Sequence, residues 1–209
     1  MKILIVGTSG LAKEVSCWAS GIFEVIGYTT PTKSKKNEFN LPGINFSDDE
    51  VTPDLAGTEY VLIGIGSLKV RKKLYEIYKK KGFKFPKLIH PTSTVSSSAK
   101  LGEGVIVAPN CVVSPNVKIG AVTYINFQCG IGHDSIIGDF VQINPGSQLG
   151  GCCVIGEETL IGSGSTILQG VTVGLRATVG SGSVVFTKVP DNSTIIGNPA
   201  RRMRLFRDS

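Results

Sequence analysis

Residues 125–155 read INFQCGIGHDSIIGDFVQINPGSQLGGCCVI, and Ile or Leu returns at every sixth position of this stretch. The same period extends outward from it without a break. The complete series is Val95, Leu101, Val107, Val113, Ile119, Ile125, Ile131, Ile137, Ile143, Leu149, Ile155, Ile161, Ile167, Val173, Val179 and Val185. A helix would return apolar residues every three or four positions, and a half-buried strand would alternate them. A six-residue period is typical of a parallel β-helix built from hexapeptide repeats.

A second inward position lies four residues after each aliphatic, and it usually holds a small side chain. The residues in this slot include Val105, Cys111, Thr123, Cys129, Ser135, Ser147, Cys153, Thr159, Ser165, Ala177 and Ser183. Each hexad then makes one short strand and one turn, and three hexads close a triangular coil. Because residues eighteen apart stack at the β spacing of roughly 4.8 Å, the series predicts about five coils and a rod of about 24 Å.

The six-residue register begins only after His90-Pro91. We therefore predict two domains, an α/β domain over 1–88 and the β-helix over 89–209. Lys2–Val6 is a continuous apolar run, which predicts a strand buried on both faces of a parallel sheet. Further elements are predicted as strands at Phe23–Tyr28 and Tyr60–Ile65, helices at 11–20 and 67–81, and a loop at Lys33–Asp54. This order indicates a Rossmann-like fold.

Two glycine turns follow predicted strands of the first domain. Gly7-Thr8-Ser9-Gly10 stands at the start of a predicted helix, where free amides and the helix dipole favour a phosphate. Gly64-x-Gly66-Ser67 follows a later strand. Neither turn is a P-loop or a full GxGxxG fingerprint, and each alone is more often a tight connection. Two such turns at the carboxyl edge of one parallel sheet nevertheless predict a nucleotide-binding pocket.

Charge and cysteine content limit the classes of partner. The formal net charge is +6, with Lys and Arg concentrated over residues 69–87. A solvated helix face explains this cluster best, phosphorylated ligands come next, and no nucleic-acid motif accompanies it. The five Cys include no CxxC pair. With no signal-like start and no membrane-length apolar run, we expect a cytoplasmic protein with reduced thiols and no membrane insertion.

The chain contains two histidines. His90 stands at the predicted domain junction and is interpreted as structural. His133 lies two residues after Ile131, on a turn between faces, so we predict an exposed imidazole at a corner of the prism. Asp134 is placed to orient that ring. A solvent-exposed His without a role is the alternative, but a fixed general base is what acyl transfer needs.

Other catalytic chemistries find no support in the sequence. A zinc hydratase on a similar solenoid would need about three imidazole ligands, and the chain has only two histidines. No metal site is predicted. A covalent serine mechanism also finds no support, because the GxSxG elbow is absent.

These features together resemble the PglD/NeuD-like sugar acetyltransferases, in which a nucleotide-sugar-binding α/β domain precedes a left-handed β-helix. The motifs that carry the resemblance are Ile5-Val6-Gly7-Thr8-Ser9-Gly10 with Lys13-Glu14, Ile89-His90-Pro91, Ile125-Asn126, His133-Asp134, Ile137-Gly138-Asp139-Phe140-Val141 and Ile196-Gly197-Asn198-Pro199-Ala200-Arg201. The resemblance covers essentially the whole chain. It implies an enzyme that uses acetyl-CoA and forms a homotrimer, with active sites in the clefts between neighbouring prisms.

The resemblance also implies roles for individual residues. His133 would be the catalytic base, Asp134 its acidic neighbour, and Asn126 a contact near the acceptor sugar. Gly7, Thr8, Ser9, Gly10, Gly64 and Gly66 would bind the nucleotide-linked sugar.

The expected acetyl-CoA site lies above His133. Gly151 follows His133 by eighteen residues, so its N–H is expected one coil above and close to the thioester carbonyl. Ser163 and Ser181 are expected to continue up that groove along the pantetheine arm. Arg201 and Arg202 would meet the phosphates of CoA.

Two positions depart from the family pattern. Leu11 stands where many relatives carry His, and the second strand reads Tyr28-Thr29-Thr30-Pro31-Thr32-Lys33 instead of ending in a run of Asp. Both lie in the pocket expected to recognise the acceptor. The predicted function is N-acetylation of a nucleotide-linked 4-amino-4,6-dideoxy sugar. O-acetylation of the sialic acid type and a non-catalytic nucleotide-sugar-binding trimer are the alternatives.

Overall fold

The computed structural model describes residues 1–31, 41 and 43–203 of the chain. It divides into two compact units, Met1–His90 and the chain from Pro91 onward. The boundary drawn from the sequence, after residue 88, lies two residues earlier. The first unit is an α/β domain and the second is a left-handed parallel β-helix, as predicted.

A four-stranded parallel sheet organises the first unit, with strand order β3-β2-β1-β4. Its elements are β1 Lys2–Val6, α1 Gly10–Ala19, β2 Glu24–Thr30, β3 Ile44–Ser47, α2 Pro53–Ala56, β4 Val61–Ile63, α3 Leu68–Lys80 and β5 Leu88–Ile89. The apolar run of β1 is fully buried from Ile3 to Val6. Because all four strands are parallel, their carboxyl ends and the turns that follow them meet at one edge of the sheet.

Three elements of this unit, β3, α2 and β5, are not among those predicted from the sequence. Ile44–Ser47 forms β3 and pairs with β2, although the sequence predicted a loop over Lys33–Asp54. The remainder of that loop lies partly outside the described residues. The cause is a tertiary contact: Gly27 has no side chain, and a Cβ there would collide with the main chain of Ile44. Pairing of this edge strand therefore depends on its neighbour more than on its own sequence.

The second unit is a triangular prism whose strands are nearly all two residues long. They are β6 Thr94–Val95, β7 Lys100–Leu101, β8 Ile106–Val107, β9 Val112–Val113, β10 Lys118–Ile119, β11 Tyr124–Ile125, β12 Gly130–Ile131, β13 Ile136–Ile137, β14 Gln142–Ile143, β15 Gln148–Leu149, β16 Val154–Ile155, β17 Leu160–Ile161, β18 Thr166–Ile167, β19 Thr172–Val173, β20 Thr178–Val179, β21 Val184–Val185, β22 Thr194–Gly197 and β23 Ala200–Arg202. The first face stacks β6-β9-β12-β15-β18-β21, the second β7-β10-β13-β16-β19, and the third β8-β11-β14-β17-β20-β22-β23.

The prism interior confirms the hexad pattern. Every aliphatic of the series is buried except Val95 and Leu101, which are partly buried. Strands pair in register with those eighteen residues away, as Ile119 does with Ile137. The small slot also makes hydrogen bonds: Thr123 Oγ1 donates to the Gly138 carbonyl at 2.8 Å. The thiols of Cys111, Cys129 and Cys153 fill the same slot and are free.

Turn geometry explains two separate glycine positions in each hexad. The third residue after an aliphatic has a positive φ, for example 59° at Asp134 and 66° at Gly164. The first residue after an aliphatic faces the next coil, and a Cβ on Gly156 would lie 2.6 Å from main-chain atoms of Gly174 and Leu175. None of the helices in the described ranges is long and apolar enough to cross a membrane.

These two glycine positions should respond differently to substitution. Gly156→Ala is expected to destabilise the protein by about 1–3 kcal/mol, because the added methyl forces apart two stacked coils. Gly164→Asn should stay within about 1 kcal/mol, since space is open there and Asn tolerates the left-handed conformation. Denaturant unfolding of both variants tests this. Equal free energies of unfolding for the two variants would show that contact with the next coil does not require glycine at position 156.

Candidate active site

His133 stands on the turn that joins the first face to the second, between β12 and β13. Its side chain is 55% exposed, as predicted for a corner residue. Nδ1 lies 2.8 Å from Oδ2 of Asp134. Because an ionised carboxylate only accepts hydrogen bonds, this contact places the ring proton on Nδ1. Nε2 therefore carries the lone pair and can take up a proton.

Asp134 is itself held from the coil below. Its Oδ1 accepts a hydrogen bond from Asn116 Nδ2 at 3.0 Å, and its main-chain N–H donates to the Pro115 carbonyl at 3.0 Å. The hydrogen bond from His133 and then that from Asn116 lower the pKa of the Asp134 carboxyl. The carboxylate is thus ionised at neutral pH and fixes the orientation of the imidazole.

Gly151 lies one coil above the imidazole, as predicted. A Cβ at this position would lie 2.5 Å from His133 Nε2 and 2.7 Å from Cε1. The ring therefore occupies the space that a side chain at 151 would need. Cys152 N–H donates to the His133 carbonyl at 2.7 Å, which fixes the two coils relative to each other.

The amide of Gly151 provides a hydrogen-bond donor close to the ring. Its nitrogen lies directly against Gly132, where a Cβ would collide with it. This N–H donates to no acceptor within the described part of the chain. A free proton acceptor and a free N–H on adjacent coils are the two groups that acyl transfer through a tetrahedral intermediate requires.

A separate cavity of about 460 Å³ opens at the carboxyl edge of the sheet in the first unit. Gly7, Thr8 and Ser9 line it at the end of β1, where α1 begins. Gly10, Gly64 and Gly66 are not among its lining residues, although Ile65 is. Gly64 has a packing role instead, because a Cβ there would lie 2.6 Å from Cα of Ala12 in α1.

Family models match both units of the chain. The PglD N-terminal domain matches residues 2–78, and the bacterial transferase hexapeptide repeat matches residues 152–187. No curated protein sequence matches the chain.

Solved structures match nearly the full length. The acetyltransferase domain of PglB from Neisseria gonorrhoeae has 29% identity and a TM-score of 0.85, covering 97% of this chain and 99% of its own. The chain is an acetyl-CoA-dependent sugar acetyltransferase. WeeI from Acinetobacter baumannii has 27% identity, a TM-score of 0.86 and coverages of 97% and 100%. PerB from Caulobacter crescentus, in complex with CoA and GDP-perosamine, has 26% identity, a TM-score of 0.71 and coverages of 98% and 98%.

Two residues expected to line this acetyltransferase's cofactor groove lie elsewhere in the prism. Ser163 and Ser181 follow strands of the third face, so they stand at the corner between the third and first faces. The offset from Gly151 to Ser163 is 12 residues, two-thirds of an 18-residue coil. The expectation that they continue the groove above His133 is therefore wrong within one chain. Gln169 occupies that place.

Asn126 also lies at the corner between the third and first faces, across the first face from His133. The residue is buried, and its Oδ1 accepts a hydrogen bond from Phe127 N–H at 2.8 Å. One chain of this acetyltransferase does not bring Asn126 and His133 together.

A cationic cavity of about 450 Å³ lies at the carboxyl-terminal end of the prism, where residues from all three faces line it. Thr187 and Lys188 line it between β21 of the first face and Val189, which bridges to the second face. Arg201 and Arg202 line the same cavity from β23. Three coils separate His133 from Thr187, a rise of roughly 14 Å. Lys188 was missed in the sequence because it follows the last regular hexad.

The cavity of the first unit contains acidic residues that were not singled out in the sequence. Asp48 and Asp49 follow β3 and line the cavity next to Pro31, at the end of β2. The carboxylates that relatives were expected to carry on the second strand are thus supplied here by the third. Leu11, which replaces the expected His, is half-buried in the first turn of α1 and does not line the cavity.

Contacts from α3 and its carboxyl end hold this acidic turn in place. Tyr78 Oη donates to Asp48 Oδ1 at 2.6 Å, and burial followed by the nearby Asp48 charge raises the pKa of the tyrosine. Lys81 Nζ donates to the carbonyls of Asp48, Asp49 and Val51 at 2.7, 2.8 and 3.1 Å. The Asp49 carboxylate has no hydrogen-bond partner in the described ranges. The same is true of the Lys73 ammonium, which also lines the cavity.

The pKa of Asp134 provides a test of the hydrogen-bond chain at the corner. Asn116→Ala should raise this pKa toward its ordinary value, and His133→Gln should raise it further because the imidazole is the larger cause. A carboxyl whose folded pKa is depressed stabilises the fold at neutral pH, and this contribution is lost as the pH falls through that pKa. Carboxyl-detected NMR titration measures the shift. An unchanged pKa of Asp134 in both variants would show that the hydrogen bonds from Asn116 and His133 do not lower it.

Proposed function

We propose that this acetyl-CoA-dependent sugar acetyltransferase acts on the amino group of a nucleotide-linked 4-amino-4,6-dideoxy sugar. The observation that carries the proposal is the pairing of His133 Nε2, whose lone pair is free, with the Gly151 N–H on the adjacent coil. Among structural relatives, the acetyltransferase domain of PglB is described in complex with acetyl coenzyme A, and PerB in complex with CoA and GDP-perosamine. A relative described as a GDP-perosamine N-acetyl transferase favours an amine over a hydroxyl as acceptor.

The chemistry follows from these two groups. The neutral sugar amine attacks the thioester carbonyl, forming a C–N bond and an oxyanion that the Gly151 N–H stabilises. His133 Nε2 takes a proton from the amine nitrogen. Collapse of the intermediate breaks the C–S bond, and the CoA thiolate recovers the proton from the imidazolium. Asp134 holds the ring and stabilises its positive charge while the proton is on it.

The acetyl-CoA molecule would run along the His133 corner. Its thioester lies at Gly151, its pantetheine arm rises past Gln169, and its phosphates reach Lys188, Arg201 and Arg202. Three cations around one cavity suit a polyanionic nucleotide end. Ser163 and Ser181 reach such a groove only from a neighbouring subunit.

A homotrimer would bring that neighbouring corner into place. Ile136 and Val154 pair in register on the second face beside the His133 corner, and they are 46% and 39% exposed. Such an exposed aliphatic stripe on a rigid face is typical of a protein interface. In this arrangement Asn126 and Ser163 would approach His133 from the adjacent prism.

The nucleotide of the acceptor would occupy the cavity of the first unit. The Thr8 and Ser9 amides at the start of α1 and the Lys73 ammonium suit a diphosphate, whereas the Gly7 amide already donates to the Thr29 carbonyl at 3.1 Å. The end of β3 lies two strands from the end of β1, a distance of roughly 10 Å. The unpartnered carboxylate of Asp49 at that distance suits the ribose hydroxyls, which are donors. We propose a ribonucleotide, UDP or GDP, over dTDP.

Replacement of His133 tests the catalytic assignment. His133→Ala should reduce turnover by about 10²–10⁴-fold while acetyl-CoA binding, followed by calorimetry, survives. His90→Ala is the matched control, because it removes the other histidine from outside the prism. Thiol release from acetyl-CoA with a panel of nucleotide amino sugars gives the rates. Full activity of the His133 variant would exclude it as the base.

Matched nucleotide pairs test the acceptor pocket. UDP should bind more tightly than dUDP, and GDP more tightly than dGDP, by about 10- to 100-fold, since a hydrogen bond to a charged group contributes about 1.5–3 kcal/mol. Asp49→Asn should reduce the affinity difference between each ribonucleotide and its deoxy counterpart. Lys73→Met should weaken the binding of all four nucleotides by a similar factor. Calorimetry on the full chain measures each affinity. Equal binding of UDP and dUDP would contradict a ribose contact.

A further inference from the structure

Three different metal-ligating groups converge at the His133 corner. A ring nitrogen of His133, a carboxylate oxygen of Asp134 and the Cys152 thiol all lie within 4.8 Å of one another. All three residues are exposed. Imidazole, carboxylate and thiolate are the donor types found in protein zinc sites.

The protein scaffold holds these groups together before any ion binds. His133 and Asp134 are adjacent in sequence, and Cys152 stacks one coil above Asp134 in the parallel ladder. The hydrogen bond from Cys152 N–H to the His133 carbonyl joins the two turns directly. Asn116 binds the carboxylate from the coil below, as supporting residues commonly do for ligands in metal sites.

Cys152 differs from the other cysteines of the prism. Cys111, Cys129 and Cys153 are buried in the small inward slot, where their thiols pack against main-chain carbonyls. Cys152 occupies the outward turn position with a φ of 58°, a conformation that glycine adopts at less cost. Its thiol has no part in the acetyl transfer described above, so that chemistry does not explain its presence.

We propose that His133, Asp134 and Cys152 form a zinc-binding site that inhibits the enzyme. Three protein ligands leave a fourth tetrahedral position for water. Binding releases the thiol proton, because the thiolate is the ligand. The ion engages the imidazole and draws the carboxylate from its orienting hydrogen bond, so His133 no longer accepts a proton. Inhibition rests on the proposed role of His133, whereas zinc binding does not.

Metal binding can be measured without any activity assay. Zn²⁺ is titrated into the full chain in competition with a chromophoric chelator, and Co²⁺ reports sulfur ligation through its thiolate charge-transfer band. Cys152→Ser should lose the Co²⁺ band and weaken Zn²⁺ binding by more than about 10-fold, and Asn116→Ala should weaken it by about 10-fold. Cys17→Ser, which removes the exposed cysteine of the first unit, should change neither. Wild-type affinity in Cys152→Ser would overturn the site.

Acetyl transfer then separates the two proposals. Zinc should inhibit the wild type and Cys17→Ser, and a chelator should restore activity. Cys152→Ser should keep its zinc-free activity and resist the ion. Zinc that binds through Cys152 without slowing transfer would count against His133 as the base and leave the metal site intact.

Discussion

The parallel main-chain ladder that joins residues eighteen apart sets the position of every side chain in the prism. Each coil repeats the one below it at the β spacing, so a residue's count along the chain fixes its corner and its height. The buried aliphatic column and the hydroxyls of the small slot stabilise this register from inside. Outside, the same register places Asn116, Asp134 and Cys152 in one column, and His133 and Gly151 in the next. The proposed catalytic corner arises because unlike residues occupy equivalent positions of neighbouring coils.

Much of this could be predicted because the prism obeys simple arithmetic. The hexad series identified the interior, and the eighteen-residue offset placed Gly151 above His133. The same arithmetic, applied to Ser163, would have shown that a 12-residue offset leads to a different corner. The eighteen-residue offset does not predict the orientation of the His133 ring. That depends on the Asp134 contact and on the absence of a side chain at 151.

The first unit was harder to predict because its site depends on tertiary contacts. The sequence predicts a loop where β3 forms, since Ile44–Ser47 has no strong strand pattern and its pairing with β2 needs the space that Gly27 leaves for its main chain. Without that strand, nothing in the sequence indicates that Asp48 and Asp49 reach the cavity. Lys81 lies in the cluster that the sequence assigns to a solvated helix face, but its ammonium donates hydrogen bonds to three main-chain carbonyls of the acidic turn. A cluster of lysines in a sequence does not show which ammonium groups are solvated and which donate hydrogen bonds to main-chain carbonyls.

In the proposed binding mode of acetyl-CoA, the distance between His133 and the cationic cavity has a consequence for cofactor choice. It can change only by whole coils, because a fractional insertion would rotate His133 to another corner and expose the interior aliphatics. The length of acyl carrier that fits the prism can therefore change only in steps of one coil, roughly 4.8 Å each. A carrier with a shorter arm would leave either its phosphates or its thioester without a partner. Under this proposal, the prism selects the donor by its length, independently of how the first unit would recognise the acceptor.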